Sequence, residues 1–425
     1  MGRLFFSKLQ IESENIQTME KSYECTPIPL EEAVRLLRKE TSSIRETKVL
    51  PIQDVLGCSL AEDIYAGMDQ PPFPRSPFDG YAVRAEDTCG ASRKTPVTLT
   101  VIGEVDAGGW FKKKVSAGEA VRIMTGAPIP EGANAVIKQE ETDLGETSVK
   151  IFRSMKADQN YIFPGEDYLK DTLLLAKGEH LGPVEIGILA STGLTEVAVF
   201  RKPSVLVIST GDELKMPGES LAPGKIFDSN LYTVTLQLKE WGCEISEMLH
   251  SPDNPDACIR LLKERAGKAD LIVTTGGVSV GKKDIMHEVY RRMNIRRIFW
   301  KVGIKPGAAI MAGKYNSTLI LSLSGNPYAA FVDLHMLVRE VVSKLTRNRS
   351  LEMIRQTAVL INNFQRESPI RRFVRCHIQN QKVCLEGHTG GNGDIAASRH
   401  INAFMDLPAG SGAKHIGDEV TVLLL

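Results

Sequence analysis

The sequence predicts a multidomain α/β plus β protein, and three observations carry that reading. Between Arg201 and Thr346 short apolar runs alternate with helical patterns, which is the signature of a parallel-type sheet with crossover helices. On either side lie stretches of short strand-like runs cut by glycine turns. The chain has 425 residues, long enough for roughly three domains.

Taken in order, the first eighteen residues carry no clear pattern and precede a second methionine, Met19, so residues 1–23 read as an N-terminal extension. From Pro29 to Glu40 the apolar positions Leu30, Val34 and Leu37 fall at i, i+4 and i+7, an amphipathic helix. Asp69 to Pro77 then packs four prolines into nine residues, which excludes helix and central strand. This loop delivers Phe78-Asp79-Gly80-Tyr81-Ala82-Val83. Strand-like runs at 97–101, 120–123 and 133–139, broken by Gly108-Gly109, Gly118 and Gly132, form a mostly-β module. A helix over 183–192 follows, so the module reads as an insertion within a split helical element.

Strands are expected at Ser204–Ser209, Leu271–Thr274, Ile298–Val302 and Leu319–Leu323, with helices between them at 231–241, 257–266 and 285–293. A long helix from Tyr328 to Thr346 closes the region. Gly242 and Gly267 are natural C-caps. From Gln356 onward, runs at 357–361, 373–378, 383–386 and 420–424, separated by turns such as Gly390-Gly391, predict a small β domain, sandwich or barrel.

Lysine plus arginine equals aspartate plus glutamate, 52 each, so no global field favours nucleic acid or a membrane surface. The seven cysteines are scattered without a C-x-x-C pair, which argues against a disulfide framework or a zinc site. No apolar run approaches the roughly 20 residues of a membrane span. A cytoplasmic location is expected.

Each predicted strand of the α/β region runs into a chemically marked loop: Thr210-Gly-Asp-Glu213, Thr275 to Asp284, Lys301 to Gly307, and Ser324-Gly-Asn-Pro327. Gly276 and Gly277 let backbone N–H groups approach an anion, and Ser279 adds a hydroxyl. If these loops converge, they combine carboxylates (Glu213, Asp284), cations (Lys301, Lys305) and backbone donors, a mixture suited to a phosphorylated anion bridged by a divalent metal. The residues alone leave alternatives open. Asp284 can serve as a helix N-cap, and Gly325-Asn326-Pro327 as a cap or an anion-facing helix start. Lys301 and Lys305 share a face on any extended strand, ligand-facing or solvated. His287, His335 and His388 lack metal-ligand spacing and read as packed or surface histidines.

These motifs, together with Arg122-Ile-Met-Thr-Gly-Ala-Pro-Ile-Pro-Glu-Gly132 and Gly165-Glu-Asp167, resemble the MoeA molybdopterin molybdenumtransferases, which are related to the E domain of gephyrin. The resemblance runs from about Thr26 to Leu425. It implies an α/β molybdopterin-binding domain at 203–347, an inserted β domain at 47–169, a split helical linker domain at 24–46 and 170–202, and a C-terminal β-barrel at 352–425. The implied activity is insertion of molybdenum from molybdate into adenylylated molybdopterin, with Mg²⁺-dependent release of AMP. Implied catalytic positions are Asp79, Thr125, Asp167, Glu213, Asp253 and Asp284, with Glu213 and Asp284 holding Mg²⁺. Implied substrate-binding positions are Gly276, Gly277, Ser279, Lys301, Lys305, Gly325, Asn326, Pro327 and Arg375. A homodimer with a shared active site and a partnership with molybdopterin adenylyltransferase are implied as well.

The sequence departs from the family pattern at Ser324, Tyr328 and Ala329, and at Asn392, Ala396 and Ala397, where family serines border the oxyanion pocket. These departures bear on molybdate against tungstate. Alternative readings are a tungstate-preferring paralogue, a nucleotide pyrophosphatase built on the same α/β domain, and a non-catalytic gephyrin-like scaffold.

Overall fold

A computed structural model of the chain describes residues 26–279, 284–385 and 393–425. The predicted extension at 1–23, the segment 280–283 of the glycine turn, His388, Gly390-Gly391 and Asn392 lie outside the described residues. The chain forms two units. One comprises the chain up to Ala61, Gly178–Gly182 and Val197–Leu425; the other comprises Glu62–Lys177 and Pro183–Glu196.

The first helix, α1 (Leu30–Glu40), buries Leu30, Ala33 and Leu37. Val34 sits at the margin of that stripe. Acidic Glu31 and Glu32 occupy its first turn and basic Arg38 and Lys39 its last, the arrangement that complements the helix dipole.

The second unit is built on β1 (Gly80–Val83), β2 (Val97–Val105), β3 (Glu119–Ile123), β4 (Ala135–Lys138) and β5 (Ser148–Ile151). Their order in the sheet is β4-β1-β3-β2-β5. Strand β1 is buried at every position because both faces of the sheet are covered. Tyr81, Val83, Leu99 and Ile137 pack on one side, and Ala82, Val121, Ile123 and Val136 on the other. Helix α2 (Pro183–Ser191) belongs to this unit.

In the first unit β6 (Ser204–Thr210), β7 (Glu244–Ser251), β8 (Leu271–Thr275), β9 (Arg296–Trp300), β11 (Met311–Tyr315) and β12 (Thr318–Leu323) make a sheet of order β7-β6-β8-β12-β11-β9. The first four strands are parallel. Strand β11 runs antiparallel to both β12 and β9, so the sheet is mixed at one side rather than wholly parallel. Two reversals restore direction, and β9 therefore ends at the same edge as β6, β8 and β12.

Alternate residues of the central strands face opposite sides. Val205, Val207, Val273 and Leu321 pack with α3 (Asn230–Glu240) and with α1. Leu206, Ile208, Ile272 and Ile320 pack with α4 (Pro255–Arg265) and α5 (Met286–Arg292). The predicted long helix after Pro327 exists but is not uniform. It is α6 (Pro327–Asp333), one π turn (Leu334–Val338), then α7 (Arg339–Thr346).

The C-terminal region closes into a five-stranded barrel of β13 (Arg355–Leu360), β14 (Arg371–Gln379), β15 (Lys382–Leu385), β16 (Ala403–Leu407) and β17 (Glu419–Leu424), closed by pairing of β14 with β16. A short strand, β10 (Ile304–Lys305), joins it by pairing parallel to β14. His335 is packed among Trp241, Phe331 and Phe404, and its burial pushes its pKa down to about 3. Among the described residues no helix is long and apolar enough to cross a membrane.

Candidate functional site

Four loops leave the carboxyl edge of the α/β sheet after β6, β8, β9 and β12, and they wall one cavity of about 760 Å³. Ligands of open α/β sheets bind at this edge. Ten of the expected residues line it: Glu213, Asp253, Gly276, Gly277, Ser279, Asp284, Lys305, Gly325, Asn326 and Pro327.

The glycine turn after β8 is set by close approach. Gly276 has φ +91, and a Cβ there would lie 2.5 Å from the Thr210 carbonyl oxygen. Only glycine lets the β6 and β8 ends meet so closely. Glu213 turns its carboxylate toward Gly211, where an added Cβ would sit 2.9 Å from Oε2. Asp253 is held from the neighbouring strand end. Its Oδ2 accepts the Asp212 N–H at 3.2 Å while Asp212 Oδ1 accepts the Asp253 N–H at 3.1 Å, so this carboxylate braces the β6 and β7 loops. Asp284 is not the helix cap that its position suggests, because α5 begins at Met286 with Ile285 as its N-cap.

Lys301 and Lys305 do not share an extended face. Lys301 adopts φ +71, which ends β9 and turns the chain. Its Nζ lies 4.2 Å from the Trp300 ring centroid, outside the cavity wall. Lys305 sits on β10, lines the cavity and pairs in register with Arg372 of the barrel. The left-handed turn between them defeats the extended-strand reading.

Arg375 is also outside the wall and is buried. Its guanidinium lies 3.5 Å from the Tyr328 ring centroid and donates from Nη2 to the Asp394 carbonyl, one residue from cavity-lining Gly393. The Tyr328 hydroxyl donates to the Phe373 carbonyl at 3.0 Å. Tyr328 thus builds a cation–π support for this arginine. Burial lowers the Arg375 pKa from its ordinary value.

Two wall residues escaped the sequence reading. Asp228 is 2% exposed and lines the cavity. Its Oδ1 accepts the Leu231 N–H at 3.0 Å, whereas its Oδ2 has no hydrogen-bond partner among the described residues. Asn230 donates from Nδ2 to the Gly325 carbonyl at 2.7 Å. The signal was Asp228-Ser229-Asn230, a run of capping residues at the start of α3.

The cavity suits Mg²⁺ by the chemistry of its donors. Among the described residues no group of three or more acidic, cysteine or histidine side chains is gathered tightly enough to cage a metal. Mg²⁺ does not require such a cage; it takes one or two carboxylates and completes its shell with water and substrate phosphate. Glu213, Asp284 and the orphaned Asp228 Oδ2 supply that kind of set.

In the other unit, Asp79 Oδ1 accepts both the N–H and the hydroxyl of Thr125, each at 2.7 Å. These bonds hold the Asp79 carboxyl below its usual range, the Thr125 hydroxyl first and its N–H second. The pairing of β1 with β3, Gly80 opposite Ile123, brings these two residues together. Gly80 is required there, since a Cβ would lie 1.8 Å from the Ile137 carbonyl oxygen. Asp167 is exposed, and its N–H donates to the Gln70 carbonyl at 2.9 Å. Among the described residues no hydrogen bond joins its carboxylate to Asp79 or Thr125.

Comparison with known proteins agrees over nearly the whole chain. Residues 28–193 match the family model described as the MoeA N-terminal region (domain I and II), and residues 206–344 match the probable molybdopterin binding domain. The molybdopterin molybdenumtransferase of Bacillus subtilis strain 168 is 38% identical over 407 residues, covering 94% of each chain. That of Staphylococcus epidermidis is 34% identical over 402 residues, covering 94% of this chain and 96% of the relative. The crystal structure of the molybdopterin biosynthesis moeA protein from Pyrococcus horikoshii OT3 superposes with a TM-score of 0.78 at 30% identity, covering 94% of this chain and 100% of that one.

Proposed function

The chain belongs to the MoeA family of molybdopterin molybdenumtransferases, and we propose that it inserts molybdenum from molybdate into adenylylated molybdopterin with Mg²⁺-dependent release of AMP. The observation that supports this reading most strongly is the convergence of four strand-end loops on one cavity that carries Glu213 and Asp284 together with Lys305 and the Gly276-Gly277 turn.

In this reading the Gly277 N–H and the Ser279 hydroxyl receive the phosphate oxygens of the substrate, while the Gly276 N–H is taken by the Leu323 carbonyl at 3.1 Å and ties the turn to the end of β12. Lys305 neutralises the charge that develops on the leaving AMP, with Lys301 behind it. Gly325, Asn326 and Pro327 at the start of α6 fix the substrate's position, and Asn230 holds Gly325. Glu213 and Asp284 are the residues that would hold Mg²⁺, which when bound would supply polarisation of a phosphoryl oxygen. Water enters at phosphorus, the phosphoanhydride bond breaks, and its electron pair leaves on AMP. Asp253 keeps the Glu213 loop in register with its neighbour. Arg375, braced by Tyr328 and bonded to the Asp394 carbonyl, supports the Gly393 side of the cavity where the oxyanion would bind.

The protein acts as a cytoplasmic homodimer in which a second copy supplies Asp79, Thr125 and Asp167. Asp79, kept ionised by Thr125, serves there as a proton acceptor. Molybdopterin adenylyltransferase, which makes the adenylylated substrate, is the partner this chemistry requires.

Expression in cells lacking their own transferase tests the reading, run separately with molybdate and with tungstate. Restored molybdoenzyme activity on molybdate is expected. No restoration on either anion contradicts it, and restoration on tungstate alone assigns the metal differently.

A further inference from the structure

Asp333, at the end of α6, is completely buried, yet none of the chemistry above uses it. It sits beneath the cavity between two of the wall loops. Its Oδ2 accepts the Ser324 N–H at 3.2 Å. A Cβ built on Gly307 would lie only 2.1 Å from its Oδ1. Gly307 has φ +95, and both Ser324 and Gly307 line the cavity.

We propose that Asp333 is a positioning residue that acts as a neutral acid, clamping the Lys305-Pro306-Gly307 turn and the Ser324-Gly325-Asn326 turn in register beneath the substrate. Three observations support this. The first is geometric: one carboxyl group touches both turns, and Gly307 is the residue type that allows the approach. The second concerns charge. Oδ1 has no hydrogen-bond partner among the described residues, and a buried carboxylate with an unpaired oxygen is costly, so the group takes a proton instead. Burial accordingly raises its pKa well above the ordinary value, opposed only by the Ser324 N–H. The third is local: the helix passes directly from Asp333 into the π turn, an irregularity that is frequent at functional sites.

A neutral carboxyl and a carboxamide offer the same pattern, one acceptor oxygen and one donor. The clamp therefore tolerates Asn and fails with Ala, whereas a role resting on negative charge fails with both. The proposal rests on the functional reading above only for the substrate in its kinetic arm.

The test compares wild type, Asp333→Asn and Asp333→Ala as full-length protein. Hydrogen exchange is followed without ligand in peptides spanning residues 303–311 and 321–329, and KM and kcat for adenylylated molybdopterin are measured alongside. Asp333→Asn is expected to keep wild-type exchange and a KM within about twofold. Asp333→Ala is expected to speed exchange at Ser324 and to raise KM roughly fivefold or more with kcat largely retained, the size of one lost hydrogen bond. Faster exchange in Asp333→Asn, or unchanged exchange in Asp333→Ala, overturns the proposal. Should Asp333→Ala fail to fold, the Asn arm decides alone. If wild type turns over no substrate while the exchange pattern holds, the functional reading falls and the clamp stands.

Discussion

Asp79 and Thr125 show how much two short hydrogen bonds can do at the scale of a residue. The carboxylate is solvent-facing, so its lowered pKa comes from two short bonds to Thr125 rather than from an ion pair. A group whose folded pKa is depressed favours the folded state above its unfolded pKa and loses that contribution as pH falls through the folded one. Thr125→Ala removes the hydroxyl bond and leaves the N–H bond. The Asp79 pKa should then rise toward its ordinary value, and the acid limb of the AMP-release profile should move to higher pH. An unmoved limb would mean that Asp79 is not the titrating base. The paired distances were not legible in the sequence, because 46 residues separate the two side chains and only the β1–β3 register closes that gap.

Among the elements, the central strands announce themselves most clearly. Leu271–Thr275 is buried at all five positions, and a continuous β-branched run is what a strand covered on both faces needs. The loops that follow β6, β8, β9 and β12 were likewise readable from glycines and charges at strand ends. Strand β7 was not, because it is an edge strand with mixed exposure and no clean alternation. Strand β11 carries Gly313 and Lys314 and is identified only by its antiparallel pairing with β12 and β9. The same reversal explains why the sheet is mixed while its marked loops still share one edge.

The C-terminal barrel is fastened by charge as well as by its core. Arg371 of β14 donates in bidentate fashion to Asp406 of β16, at 2.8 and 2.7 Å, and also reaches Glu31 of α1 at 2.6 Å. Asp406 is 5% exposed and also accepts from Arg355 Nη1 at 3.0 Å, so removing Arg371 leaves the buried carboxylate with Arg355 as its remaining cation. Arg371→Met removes two charge-assisted bonds to Asp406 and should destabilise this corner by about 2 kcal/mol, seen as faster amide exchange in β14 and β16. Exchange that stays at the wild-type rate would show the pair to be energetically idle.

For the whole molecule, 94% of the chain aligns with the Bacillus subtilis relative, and the acidic and glycine residues expected from the sequence line the α/β cavity. Of the positions expected to depart from the family pattern, Tyr328 supports Arg375 with its ring and Ala396–Ala397 lie on a short helical turn. The central claim concerns the phosphate half of the reaction. The most direct test is AMP release from adenylylated molybdopterin by the purified protein, with and without Mg²⁺ and molybdate. The account predicts release that needs Mg²⁺ and falls roughly 100-fold in Asp284→Ala, the size of losing a preorganised electrostatic group. Release that is independent of Mg²⁺, or undiminished in Asp284→Ala, would contradict it.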